Sequence, residues 1–203
     1  MQPRYVTIEE LEAELGYPIK IIKRRTATVS DVPAGELFEI YGQSFVKLQD
    51  GFAITRNIIE MSKFGDSTNN YKDGKIIHNT VFDEFLKKLC GYHHYRKDSL
   101  IEMFEIDLTS DNGYDEYGIA TDNLMGLMTL SQFQQNARLL QPYNTKAWWL
   151  ATPHGTLSTE TFNNACYVSN MGMVEHANIK EILGLRPVLK FKPDAEVIYF
   201  DRS

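Results

Sequence analysis

The sequence predicts an α+β fold with antiparallel sheets, and three observations lead there. Residues 32–55 read as short alternating apolar runs broken by tight turns, two later stretches carry helical spacing, and strand-like runs return after them. Strands at both ends of the chain with two helices between them fit that class. With 203 residues and 43% hydrophobic content the chain is long enough to bury a core without staples. One compact domain over 32–203 is expected, preceded by an appendage over 1–31 made of a short helix and a strand.

The appendage opens on Thr7-x-x-Glu10, a capping box in which the threonine oxygen and the glutamate carboxylate satisfy free backbone N–H groups. Ile8, Leu11 and Leu15 follow at helical spacing, and Gly16 with Pro18 stops the helix. From 32 to 55, Tyr41-Gly42 and Asp50-Gly51 punctuate runs rich in Phe, Ile and Val, which predicts a three-strand meander. Next comes a polar loop, and then Thr80 caps a helix with Phe82, Phe85, Leu86 and Leu89 on one face and Gly91 as its stop. Residues 99–128 mix strand-like pieces with a loop dense in Asp, Asn, Gly and Tyr. Thr129-x-x-Gln132 is a second capping box, and Leu130, Phe133, Ala137 and Leu140 form the apolar face of a helix that ends before Pro142. The Trp148-Trp149 segment, a polar loop and the strands "ACYVSN", "GMVEH" and "GLRPVLKFK" complete the pattern.

The formal charge of −6 argues against a broad surface for phosphates or anionic lipid, so neither nucleic acid nor membrane is an expected partner. No run approaches the roughly 18 apolar residues of a membrane span, and the first residues lack the pattern of a secretory signal. Folding in the cytoplasm is expected. Cys90 and Cys166 lie far apart with no C-x-x-C, which predicts two buried free thiols.

Landmarks in fixed order carry a resemblance over about Val32 to Lys192. They are the "GELFEIYGQSFVKL" hairpin, "NNY" followed by a helix with "FDEFL", the "LMTLSQF" junction, "WWLATP" and "GLRPVL". This set resembles the domain family of Firmicutes surface proteins and their phages whose members carry W-W-L-x-[ST]-P and G-[VIL]-R-P-x-[LI]. That family is similar in fold to C-type-lectin-like domains, in the broad sense that includes formylglycine-generating enzyme and phage variable ligand-binding proteins. The resemblance implies paired N- and C-terminal strands, small twisted antiparallel sheets and two flanking helices. It also implies display and binding rather than chemistry. Ala151 stands where relatives often carry Arg or Ser, and "HGTLSTETFNNA" replaces their Gly-rich loop.

Five groups of residues are candidates for function. If 148–153 is a strand, Trp148 and Trp149 point to opposite faces, so one ring belongs to the core and the other to a boundary, with ligand stacking by one ring as the alternative. Arg186, amid apolar neighbours and before Pro187, needs a carboxylate or backbone carbonyls as partner; holding a ligand carboxylate is its other reading. Pro187 suits an edge or bulged position. With Pro153, these are landmarks of the fold. The loop after Pro153, with His154, Thr156, Thr159, Asn163 and Asn164, is the expected contact surface.

Asp111, Asn112, Asp115 and Glu116 offer oxygen ligands for a hard cation such as Ca²⁺, although the segment is also a strong turn signal and lacks EF-hand spacing. The five histidines, 78, 93, 94, 154 and 176, show no zinc-type spacing, so no metal and no cofactor is expected. There is no G-x-S-x-G and no phosphate-cradling Gly-rich loop, so no catalytic residue is assigned. Cys166 is the one residue roughly placed for a formylglycine-generating-enzyme-like oxidase.

These readings converge on a non-enzymatic virion protein of a bacteriophage: a capsid-decorating, head-fibre or tail-associated module whose partners are other virion proteins and whose oligomeric state is set by the particle. The alternatives are a receptor-binding adhesin for a host cell-wall polysaccharide, with Tyr114, Tyr117 and Tyr143 as stacking surfaces, and the oxidase.

Overall fold

The computed structural model describes residues 7–16, 23–73, 80–90, 100–143 and 145–201. They form a mixed α+β fold dominated by sheet. The first helix, α1 (Ile8–Leu15), is held by the Thr7/Glu10 capping box and closed at Gly16. β1 (Lys23–Thr28) follows, then a 3-10 turn (Val29–Asp31) and the meander β2 (Leu37–Ile40), β3 (Gln43–Lys47) and β4 (Phe52–Thr55). Tyr41 and Gly42 both sit at positive φ, 47° and 78°, the two-residue turn whose twist matches the flanking strands. The chain continues through β5 (Glu60–Ser62), α2 (Thr80–Cys90), β6 (Ile101–Glu102), β7 (Phe104–Asp107), β8 (Ile119–Asn123) and β9 (Gly126–Leu127). Then come α3 (Leu130–Leu140), β10 (Trp148–Pro153), β11 (Asn164–Val168), β12 (Val174–Asn178), β13 (Leu183–Leu185), β14 (Pro187–Phe191) and β15 (Glu196–Asp201).

The large sheet runs β1-β15-β2-β3-β4-β14-β6, with β9 also paired to β14. β1 and β15 are antiparallel over six registered pairs, from Lys23 with Asp201 to Thr28 with Glu196, so the strands nearest the two ends of the chain lie side by side. Lys23–Thr28, assigned from sequence to the appendage, is thus a strand of this sheet. The smaller sheet runs β12-β11-β10-β13-β5, and β7 with β8 forms a separate ribbon. Between β4 and β14, which are antiparallel neighbours, the chain builds the small sheet and the ribbon and returns to the large sheet only through the short strands β6 and β9.

The helices close the layers. Phe85 of α2 meets Phe45 of β3 edge-on at 6.3 Å, in a cluster with Phe38 and Phe191. α3 begins on the Thr129/Gln132 capping box and packs Phe133 against Trp148 at 5.9 Å. Thr80 is the first residue of α2 rather than its cap. Pro18 and Gly91, the other expected helix stops, lie outside the described residues. Among the described residues no helix is long and apolar enough to cross a membrane.

Trp148 and Trp149 are both fully buried, which corrects the expectation of one boundary ring. Every residue of β10 is buried, because the strand is central in its sheet and covered on both faces. Trp148 looks toward α3 and Arg186; Trp149 packs on Phe64 and Tyr167 and donates its Nε1–H to the Ser62 carbonyl at 2.9 Å. At 150–250 Å² per ring, each burial is worth about 4–6 kcal/mol against an extended chain.

Arg186 is 1% exposed and occupies the seam where the chain passes from β13 in the small sheet to β14 in the large one. Its Nε and Nη2 donate to the Thr55 carbonyl at 3.1 and 3.0 Å, and its guanidinium lies 5.0 Å from the Trp148 ring centre. Thr55 ends β4, where the chain leaves the large sheet, so one side chain ties both crossings together. Pro187 is not at an edge: β14 has strands on both sides, and the proline is tolerated as its first residue.

Candidate functional site

Polar side chains gather where the β7–β8 ribbon meets the small sheet. Asp111 lies in the turn Ser110–Gly113, and its backbone N–H donates to the Pro153 carbonyl at the end of β10. Asn112 donates through Nδ2 to the His154 carbonyl, so the turn is bound to the sheet twice. Cys166 of β11 and His176 of β12 are directly opposite in antiparallel register, which puts their side chains on one face.

The result is a carboxylate with three donors around it. His176 Nε2 is 2.6 Å from Asp111 Oδ2, and His154 Nδ1 is 3.0 Å from both Asp111 oxygens. The two imidazoles stack at 3.7 Å with 24° between their planes. Burial pushes the Cys166 thiol well above its ordinary range; the Asp111 charge and a hydrogen bond to that carboxylate push the same way. The thiol therefore stays protonated, and its S–H donates a hydrogen bond to the Asp111 carboxylate. Cys166 is enclosed, while His176 is 39% exposed, so the cluster opens to solvent on one side.

A cleft of about 390 Å³ adjoins Asp111, between the 107–111 segment and the start of α3. Its walls carry Ser110, Thr129, Ser131 and Gln134, all hydrogen-bonding side chains.

The expected contact loop is bound inward along much of its length. The Asn69 amide, in the "NNY" landmark, donates to the carbonyls of Gly155 and Asn164 at 2.7 and 2.8 Å and accepts from Tyr117 Oη at 2.7 Å. Thr156 is fully buried, Thr159 Oγ1 donates to its carbonyl, and the Asn163 carbonyl accepts from Ile179. A Cβ on Gly155 would run into the hydroxyl oxygens of Thr159 and Thr161, so any side chain there would force both threonines to shift. Leu157 and Ser158 face solvent.

Asp111, Asp115 and Glu116 are not brought together. Glu116 is instead tied to the loop, where hydrogen bonds from Thr156 and Ser158 hold its carboxyl below the usual range. Tyr117 is buried and unavailable for stacking, Tyr143 is half-buried with its hydroxyl on the Gly35 carbonyl, and Tyr114 is exposed. Of the expected cation ligands, Asp111 alone enters the polar cluster. His154, in the bend after β10, and His176, on β12, reach it from separate parts of the chain, which no spacing rule along the chain detects. His78, His93 and His94 lie outside the described residues. Comparison of the chain with family models, with curated proteins and with solved structures finds no match.

Proposed function

We propose that this chain is a non-enzymatic interaction module of a bacteriophage particle, with a C-type-lectin-like fold, carried as a capsid-decorating, head-fibre or tail-associated protein. One observation carries the reading: β1 and β15 pair at one edge of the large sheet, while the excursion from β4 to β14 builds a separate small sheet with its own loops. That division supports a base near both chain ends and a presented face elsewhere. Among the described residues β1 is an edge strand with β15 as its one neighbour, and its outer edge is where a particle protein can add a strand. The ordered landmarks from Val32 to Lys192 support the virion setting.

The module is bound in the particle and assembled in the host cytoplasm. Cys166 sits with Asp111 and His176, and Cys90 belongs to α2, so the paired thiols of a formylglycine-generating-enzyme-like oxidase have no counterpart among the described residues. Mass spectrometry of purified particles tests the proposal. The chain is expected in many stoichiometric copies. Its absence from particles, together with glycan or host-cell binding by the free domain, contradicts the reading and favours the adhesin.

A further inference from the structure

Asp111, Cys166 and His176 each present one donor atom, and those three atoms lie within 4.8 Å of one another. Donors bound to a single zinc ion at about 2.0–2.3 Å sit roughly 3.3–3.8 Å apart, so closure needs shifts of about 1 Å or less. We propose that this cluster is a zinc site, with Asp111, Cys166 and His176 as ligands and a fourth position open to water. The proposal is independent of the display reading, since it rests on the cluster alone.

Donor chemistry selects the ion class. A thiol and an imidazole beside one carboxylate suit zinc and its neighbours and disfavour Ca²⁺ or Mg²⁺, which need oxygen donors in greater number. The open side follows from exposure: Cys166 is enclosed and the Asp111 side chain is 13% exposed, whereas that of His176 is 39% exposed. Asp111 is already aimed. His154 Nδ1 reaches both of its oxygens at 3.0 Å, the contact by which an outer imidazole orients a ligating carboxylate. On binding, the Cys166 S–H bond breaks, a sulfur–zinc bond forms and the proton leaves to water.

The three ligands come from three places: the turn after β7, strand β11 and strand β12. An ion there staples the ribbon loop to the small sheet. It also fixes one wall of the cleft beside Asp111.

The test uses the full chain, loaded with Zn²⁺, dialysed and assayed for metal, with Co²⁺ as a spectroscopic substitute. One equivalent of zinc is expected with an apparent Kd below about 1 µM. The cobalt form should show a thiolate-to-metal charge-transfer band that disappears in Cys166→Ser. His176→Gln, at a partly exposed position, should weaken binding by at least about 100-fold, and His154→Gln by about 10- to 100-fold. Lys180→Gln should leave it unchanged. Circular dichroism checks that each variant folds. Failure of the folded wild type to retain zinc overturns the proposal, as does affinity unchanged in both His176→Gln and Cys166→Ser. Either result leaves Asp111 as a hydrogen-bond hub alone.

Discussion

Arg186 shows how one side chain joins two sheets. It is enclosed, donates twice to the Thr55 carbonyl and lies over Trp148, so removing it strands an acceptor and an aromatic face at once. Arg186→Met is expected to cost about 2–4 kcal/mol in chemical denaturation, and Arg186→Lys a similar amount, because an ammonium cannot reproduce the planar fork. The need for a partner was legible from an arginine set amid Leu, Pro and Val; that the partner is a carbonyl at the end of another strand was not. Cys166 gives a second residue-scale test. Burial holds it, like Tyr71, as the neutral acid above its ordinary pKa. A raised folded-state pKa leaves stability full below the unfolded value, about 9 for a thiol, and removes it as pH climbs beyond. The urea midpoint of the metal-free protein should therefore fall above about pH 9, less steeply in Cys166→Ala. Both cysteines are buried, so neither should react with a disulfide reagent until the protein unfolds.

At the scale of elements, legibility followed the range of the interaction. The capping boxes at Thr7 and Thr129 and the Tyr41-Gly42 turn are decided within four residues, and each appears as the sequence predicts. Thr129→Ala should cost about 1 kcal/mol in helix and protein stability. Strand alternation fails for β10 because it assumes one wet face, and nothing local says that helix α3 and Arg186 cover one side while Phe64 and Tyr167 pack on the other. The Asp111 cluster is hidden for the same reason: its members come from a turn, the bend after β10 and strands β11 and β12, joined by sheet register and by the turn's two hydrogen bonds to the end of β10. The loop after Pro153 is a knot rather than a flexible surface. Gly155→Ala should lower stability by about 1–3 kcal/mol, read as a reduced melting temperature, since two bonded threonine hydroxyls stand where the new methyl would go.

Across the whole molecule, the large sheet gathers the strands nearest both chain ends and the small sheet carries the polar cluster, its cleft and the β11–β12 hairpin. That hairpin exposes Met171 and Met173, 83% and 61% accessible, at its tip. Alternating runs in the sequence were enough to reach an α+β class, but the expectation of antiparallel sheets fails at β10 and β13, which pair parallel in the small sheet. Which strands share a sheet was beyond those runs, since β4 pairs with β14 across the whole stretch of chain between them and nothing local to either strand names the other. On the proposed reading the β1 edge faces the particle and the small sheet faces outward. Because both native thiols are buried, single cysteines can be labelled selectively at exposed positions: Thr26→Cys on β1 and Asn170→Cys at the hairpin tip. Maleimide labelling of purified particles against the free protein is the direct measurement. Asn170→Cys is expected to label equally in both and Thr26→Cys to be protected on the particle; equal labelling of Thr26→Cys, or protection at the tip instead, would contradict that orientation.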